Sequence, residues 1–505
     1  MQLDDFLRYA KQGTMVPVYR ELLADTLTPV TAFLRLRRLN EPAFLLESVE
    51  GGERVGRYSF LGRQPREKIT AKGDEVILER GGKSERLTGG FFKALDQHLR
   101  PLRTVSVPGL PPLTGGAVGY VGYDGVRWIE KLPDRHSRET SLADAEFQFY
   151  DTLVAFDHPK HRLYLISNVS IPETGKKTRA ELESAFAGAQ EKIDELEEAL
   201  SRPLPEEECP QNLEALAPES LEVGMSSNFT REEFESAVKR AKDYISAGDA
   251  FQIVLSQRFQ RELTVDPFDV YRSLRALNPS PYLFYLQWED SALLGSSPET
   301  MVRVEGRKAM VRPIAGTRPR GVDEATDCAL QEELLADQKE LAEHRMLVDL
   351  GRNDIGRVAK FGTVNLSRLE EVERYSHVMH IVSEVEGDLS DELTAVDAFC
   401  AGFPAGTVSG APKIRAMEII DELEPSRRST YAGAVGYVDF AGNLDTCIAI
   451  RTLLIHKGMA SLQAGAGIVA DSVPEREYFE TIHKASALYE AIRMTEARRR
   501  GPTAK

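Results

Sequence analysis

The 505 residues are 42% hydrophobic and 28% charged, the composition of a globular chain with a sizeable core. A formal charge of −16 argues against nucleic-acid and anionic-membrane surfaces, which want a basic footprint. An anionic ligand would need local positive charge from a metal, a few arginines or lysines, or backbone amides. The four cysteines (Cys209, Cys328, Cys400, Cys447) form no C-x-x-C and read as reduced thiols. The first ten residues carry Asp4 and Asp5 and no apolar signal segment, and no run approaches the roughly 18–20 apolar residues of a membrane span. The expectation is a soluble, cytoplasmic protein.

Residues 1–170 read as an N-terminal domain rich in short strands, with examples at 43–46, 68–78 and 147–166, the last turning back at 158–162. A helix is expected over 177–200. Positions 201–225, with four prolines and a Glu-rich patch at 205–208, read as a linker within a 171–227 connecting segment. The pattern sharpens over 228–495. Thr230 followed by Glu233 predicts a capping box for a helix to about 245. Strands follow at 252–259, 282–288 and 292–296, a hairpin at 301–313, and a long helix over 324–350. Segments 432–440, 444–455 and 461–469 predict an antiparallel meander, and Pro474 opens a last helix. Residues 496–505 form a basic tail. Hairpin-linked strands with helices in blocks predict an α+β fold rather than a wound parallel sheet.

Four constellations could carry chemistry. Glu340 with Glu343, and Glu477 with Glu480, are E-x-x-E pairs that each place two carboxylates on one helix face. If the faces converge, a hard cation such as Mg²⁺ would relieve their repulsion; alone, each pair is also an ordinary solvated face. Three small-residue segments, 313–317, 404–412 and QAGAGIV at 463–469, could let backbone amides approach an anion or could be plain turns and bulges. His380, in the apolar run 375–385, suits proton transfer near neutral pH, and Glu299, at a strand end, is a second acid candidate. Arg451 sits centrally in the apolar run 447–455 and must find an anionic partner, a bound carboxylate or an internal Glu.

Together the segments resemble the chorismate-utilising enzymes, most closely the anthranilate synthase large subunits. The resemblance is carried by LLES (45–48), RYSF (57–60), NPSPY (278–282), SSPE (296–299), RPIAGTRPRG (312–321), VDLGRNDIGRV (348–358), YSHVMHIVS (375–383), PAGTVSGAPK (404–413) and GAGIVADSVPEREYFET (465–481). It implies a complex two-part antiparallel β-sandwich with flanking helices. By similarity, Glu343 and Glu480 would ligate Mg²⁺ directly and Glu340 and Glu477 through its waters. Gly316, Thr317, Tyr431, Arg451, Gly465, Ala466, Gly467 and Lys484 would hold chorismate, with Thr317, Glu299 and His380 at the chemistry. Ammonia would add at C2 as the C4 hydroxyl leaves, and pyruvate would then be expelled.

Two positions separate this chain from relatives. Water-using members have Lys where this chain has Gln252, and aminodeoxychorismate synthases typically read PIKGT where this chain has Ala315. Aminodeoxychorismate synthase and a non-catalytic tryptophan-sensing subunit are the alternatives. None of the cysteines lies in a G-x-C-x-G nucleophile turn, so the resemblance implies a glutamine amidotransferase partner, in a heterotetramer or heterodimer, as ammonia source. LLES and NPSPY also resemble a tryptophan feedback site, mapping Ser48, Pro281, Tyr282 and Leu283 onto its contacts with Glu47 and Asn278 nearby.

Overall fold

The computed structural model describes residues 1–48, 56–138, 141–171, 177–204, 219–375 and 378–500. The Glu-rich patch at 205–208, Cys209, most of the expected linker, positions 376–377 of YSHVMHIVS and 501–505 of the basic tail lie outside them. Two twelve-stranded antiparallel sheets pack face to face with helices on their outer surfaces, the α+β class expected from the strand and helix pattern and the sandwich that the resemblance implied. The first sheet runs Met15–Leu23, Arg162–Ser170, Thr152–Asp157, Tyr58–Arg63, Ala43–Glu47, then Tyr282–Gln287, Ser291–Ser297, Thr452–His456, Met459–Ile468, Gln252–Glu262. The second runs Ile314–Pro319, Val378–Asp388, Lys308–Val311, Thr300–Glu305, Leu444–Ile448, Ala434–Asp439, then Gly116–Val121, Ala145–Tyr150, Glu67–Lys72, Glu75–Arg80. The first 170 residues therefore supply strands to both sheets. They join the later strands where Glu47 pairs with Leu283 and where Val121 pairs with Ala434.

Side-chain alternation explains the layering. Along Tyr282–Gln287, Leu283 and Tyr285 face the helix-covered core, whereas Phe284 and Leu286, with Phe44 of the neighbouring strand, face the second sheet, where Tyr150, Val435 and Tyr437 meet them. Both faces are buried, so the segment reads as a continuous apolar run.

Local chemistry sets the boundaries. Thr230 and Glu233 form the predicted capping box of Arg231–Ser246. The single helix expected over 324–350 is two, Glu324–Ala336 and Gln338–Gly356. Asp337 between them is extended, and its carboxylate caps the amides of Lys339 and Glu340. The stretch 68–78 is a hairpin of Glu67–Lys72 with Glu75–Arg80. The turn expected at 313–317 is a strand with a bulge at Gly316, where φ is +69°, a conformation open to glycine.

One correction bears on the site. The run 444–455 is not one strand of a meander. Leu444–Ile448 belongs to the second sheet and Thr452–His456 to the first, and the chain crosses between them at Ala449–Arg451. Arg451 makes the crossing with φ +51° and is not strand-central.

Candidate active site

The crossing opens onto a cavity of about 600 Å³ lined by both sheets, within the size range of small-molecule sites. Gln252, Val254, Gln463, Gly465 and Gly467 come from the first sheet, and Ile314, Ala315, Gly316 and Thr317 from the second. Glu340 and Glu343 enter from the helix capped by Asp337, Glu477, Glu480 and Lys484 from Pro474–Arg500, and Glu299, Tyr431 and Arg451 complete the wall. Residues drawn from positions 252 to 484 thus share one space.

Its wall carries charge of both signs. Burial and then the neighbouring Glu343 raise the Glu340 carboxyl above its ordinary range, and burial likewise raises Glu477, with Glu480 adding to the effect. Glu480 pairs with Lys484 at 2.6 Å, and Lys484 Nζ also donates to the Gly465 carbonyl at 3.0 Å. Glu343 accepts from Gln252 Nε2 at 3.0 Å. Four carboxylates from two helices offer oxygen donors only, the set a hard divalent cation takes. Among the described residues, no three metal-ligating side chains gather closely enough to form a closed cage.

Arg451 answers the acidic end. Burial lowers its pKa, with Tyr431 and Glu480 opposing, yet among the described residues no carboxylate lies within ion-pair distance of its guanidinium. The internal Glu partner weighed for it is thus missing there, leaving its fork to an anion in the cavity. Tyr431 is buried, its phenol pushed up to about 12, and it lies beneath Gly465, where an added Cβ would sit 2.7 Å from the Tyr431 hydroxyl. Only glycine leaves that approach open.

Two groups can move protons. Glu299 is 7% exposed, and burial drives its carboxyl up to about 8, with Thr407, the Ile314 amide and Lys484 pulling the other way. It is therefore protonated at neutral pH, as a general acid must be. His380 lies behind the wall. Its Nδ1 is 3.0 Å from Thr317 Oγ1 and 3.1 Å from the Gly316 carbonyl, and burial lowers its pKa. A carbonyl only accepts, so Nδ1 carries the hydrogen and Nε2 keeps its lone pair. Ala466 is not on the wall, because strand alternation turns its methyl into the core of the first sheet. The same alternation puts Gln463 on the cavity face beside Gly465 and Gly467, although only the glycine-rich part of QAGAGIV was assigned from sequence.

A second cavity, of about 110 Å³, lies between the sheets and is lined by Glu47, Ser48, Tyr58, Pro281, Tyr282, Leu283, Arg303 and Asp445. Ser48 Oγ donates to the Pro281 carbonyl at 2.7 Å, and Tyr282 hydroxyl donates to Asp445 at 2.9 Å. The Glu47 carboxylate is engaged by Tyr271 at 2.6 Å and Arg275 at 3.0 Å. Asn278 lies outside the lining and hydrogen-bonds Ser296.

Comparison with known proteins agrees with this architecture. A family model described as chorismate binding enzyme matches residues 41–490. The chain is 48% identical to anthranilate synthase component 1 of Synechocystis, covering 97% of this chain and 98% of that one. It is 45% identical to the protein of the same name from Acetivibrio thermocellus, with coverages of 97% and 98%. A crystal structure of anthranilate synthase component I from Streptococcus pneumoniae superposes with a TM-score of 0.74 at 37% identity, covering 92% of this chain and 98% of that one. The menaquinone-specific isochorismate synthase of Escherichia coli shares the fold, with a TM-score of 0.68 at 21% identity over 97% and 98% of the two chains. With the family matched over nearly its whole length, the chain belongs to the chorismate-binding enzymes.

Proposed function

We propose that the protein is the chorismate-using large subunit of an anthranilate synthase, converting chorismate and ammonia to anthranilate and pyruvate. The observation that carries the reading is one cavity with a carboxylate-lined end, an Arg451 guanidinium that pairs with no carboxylate among the described residues, and a protonated Glu299. Chorismate is a dianion, and its two carboxylates match the two ends. Glu343 and Glu480, supported by Glu340 and Glu477, would hold Mg²⁺, whose Lewis acidity would grip the ring carboxylate and draw electrons from the ring. Tyr431 and Arg451 would take the enolpyruvyl carboxylate, and the backbone of Gly316, Gly465 and Gly467 with Lys484 would seat the ring.

In the first stage ammonia adds at C2, the ring double bonds shift, and the C4–O bond breaks. Glu299 gives its proton to the departing hydroxyl, which leaves as water; the new ammonium sheds one proton in balance. In the second stage C2 loses its hydrogen, the C3–O bond breaks, and the enolpyruvyl group takes up a proton and leaves as pyruvate. His380, neutral, with Nδ1–H held by the Gly316 carbonyl beside Thr317 and its Nε2 lone pair left to accept, would assist this stage. Gln252 cannot act as a general base for water, and ammonia needs none.

The cysteines favour an external nitrogen source. Burial raises the Cys400 thiol to about 12 and Cys447 further, and Cys328 is exposed, with no basic side chain hydrogen-bonded to it among the described residues. A glutamine amidotransferase subunit, component II of the relatives' naming, would supply ammonia. The second cavity would take tryptophan as a feedback inhibitor. No helix among the described residues is long and apolar enough to cross a membrane, and we place the protein in the cytoplasm.

The test mixes the chain alone with chorismate, MgCl₂ and an ammonium salt, following anthranilate fluorescence and pyruvate together. Parallel appearance, abolished by EDTA, is expected. Chorismate loss without pyruvate would mean aminodeoxychorismate formation, and no chorismate loss would mean a sensing subunit.

A further inference from the structure

Gln463 is 6% exposed and lines the main cavity. Its Nε2 donates to Ser256 Oγ at 2.8 Å, whereas its Oε1 has no partner among the described residues. The amide cannot turn round. Ser256 spends its one hydroxyl hydrogen on Glu424 at 2.8 Å, and Glu424 is held by Arg428 through contacts of 2.6 and 3.0 Å. Ser256 therefore has only lone pairs left for Gln463, which must present its nitrogen there and its oxygen to the cavity. A buried carbonyl left without a donor is costly, and in a binding site the missing donor belongs to the ligand.

The position of Gln463 selects the donor. Its neighbouring strand, Thr452–His456, begins right after Arg451. Glu299 reaches the same crossing, where the Ile448 amide donates to the Glu299 carbonyl at 3.0 Å and Ser296 N to the Arg451 carbonyl at 3.1 Å. Gln252, in contrast, abuts Gly467, four residues further along the strand and so roughly 13 Å away at strand rise. At neutral pH chorismate has one hydrogen-bond donor, its C4 hydroxyl, which lies across the ring from the carboxylate that the acidic end would hold. Ammonia attacks at C2, beside that carboxylate and away from Gln463.

We propose that Gln463 Oε1 accepts the hydrogen of the substrate's C4 hydroxyl, turning an oxygen lone pair toward Glu299 so that the departing group is protonated. Ser256 is the positioning residue that locks the amide. The inference rests on the anthranilate synthase reading and assigns a contact to the reacting hydroxyl that neither the glycine-rich segments nor the carboxylate pairs provide.

The experiment compares wild type, Gln463→Met and Ser256→Ala in steady-state turnover of chorismate with ammonium. Binding of an analogue with hydrogen in place of the C4 hydroxyl is measured alongside. Wild type should bind chorismate about tenfold more tightly than the analogue, the scale of one buried hydrogen bond with its unpaired penalty. Gln463→Met should lose that preference, with KM for chorismate and kcat both impaired and KM for ammonium unchanged. Ser256→Ala, with the amide intact but free to turn, should lose part of it. Variants with native circular dichroism that keep the full preference would overturn the assignment, as would a change confined to KM for ammonium. Should Gln463→Met fail to fold, the preference in Ser256→Ala decides. Wild type that makes no anthranilate would refute the reaction itself, a result separable from unaffected variants of an active enzyme.

Discussion

Replacing Glu299 with glutamine should make the protein more stable and nearly inactive. Burial holds the carboxyl protonated up to about 8, against an ordinary 4.5. The unfolded chain ionises it freely. A folded pKa above the unfolded one means the native state binds the extra proton, so stability falls as pH rises from 4.5 through 8. At pH 7 the unfolded state gains about 3 kcal/mol from ionising this group, and above pH 8 about 5 kcal/mol, from 1.36 kcal/mol per unit. Glutamine has the same shape and no charge in either state. Glu299→Gln should therefore be as stable as wild type near pH 4, about 3 kcal/mol more stable at pH 7 and about 5 at pH 9. Denaturant melts at the three pH values measure this. Turnover should drop by about 10²–10⁴, the scale of one general acid, and wild-type kcat/KM should decline above about pH 8. Parallel stability profiles for the two proteins would refute the buried neutral carboxyl, and near-normal turnover of the variant would refute its role as acid.

Arg451→Lys replaces a planar fork with a point charge and should raise KM for chorismate about tenfold with a smaller change in kcat, read from steady-state kinetics. Glu480→Gln should raise the Mg²⁺ concentration for half-maximal activity by about tenfold or more, measured by MgCl₂ titration after EDTA treatment. Ser48→Phe fills the second cavity and breaks the contact with the Pro281 carbonyl. It should relieve tryptophan inhibition of a coupling worth about 1–3 kcal/mol, seen as a rightward shift of the inhibition curve with uninhibited activity retained.

How much of this could be read from the chain depended on range. The two E-x-x-E pairs announced themselves because helical spacing is local, and the capping box at Thr230 likewise needs only four residues. The burial of Glu299 is not local. Ser-Ser-Pro-Glu-Thr reads as a solvent-facing turn, and the carboxyl is enclosed by Thr407 and Ile314, which other parts of the chain deliver. The break at Asp337 hid inside a helical pattern because aspartate is tolerated in a helix as well as at its cap. The crossing at Arg451 hid inside an apolar run, since nothing in Cys447–Ile455 but a positive φ separates one strand from two in different sheets. For Gln463 the signal was present: period two through 463, 465 and 467 selects it and rejects Ala466.

The interleaving of early and late strands in both sheets also governs how the protein can be made. During synthesis the first 170 residues emerge with unpaired edges at Ala43–Glu47 and Gly116–Val121, and their partners at Tyr282–Gln287 and Ala434–Asp439 follow some 240 and 320 residues later. Neither sheet can close until most of the chain has left the ribosome. Such long-range pairing is slow and leaves apolar edges open to other chains. A fragment beginning near residue 228 would retain every residue of the main cavity and still expose those edges, so it is expected in the insoluble fraction on expression.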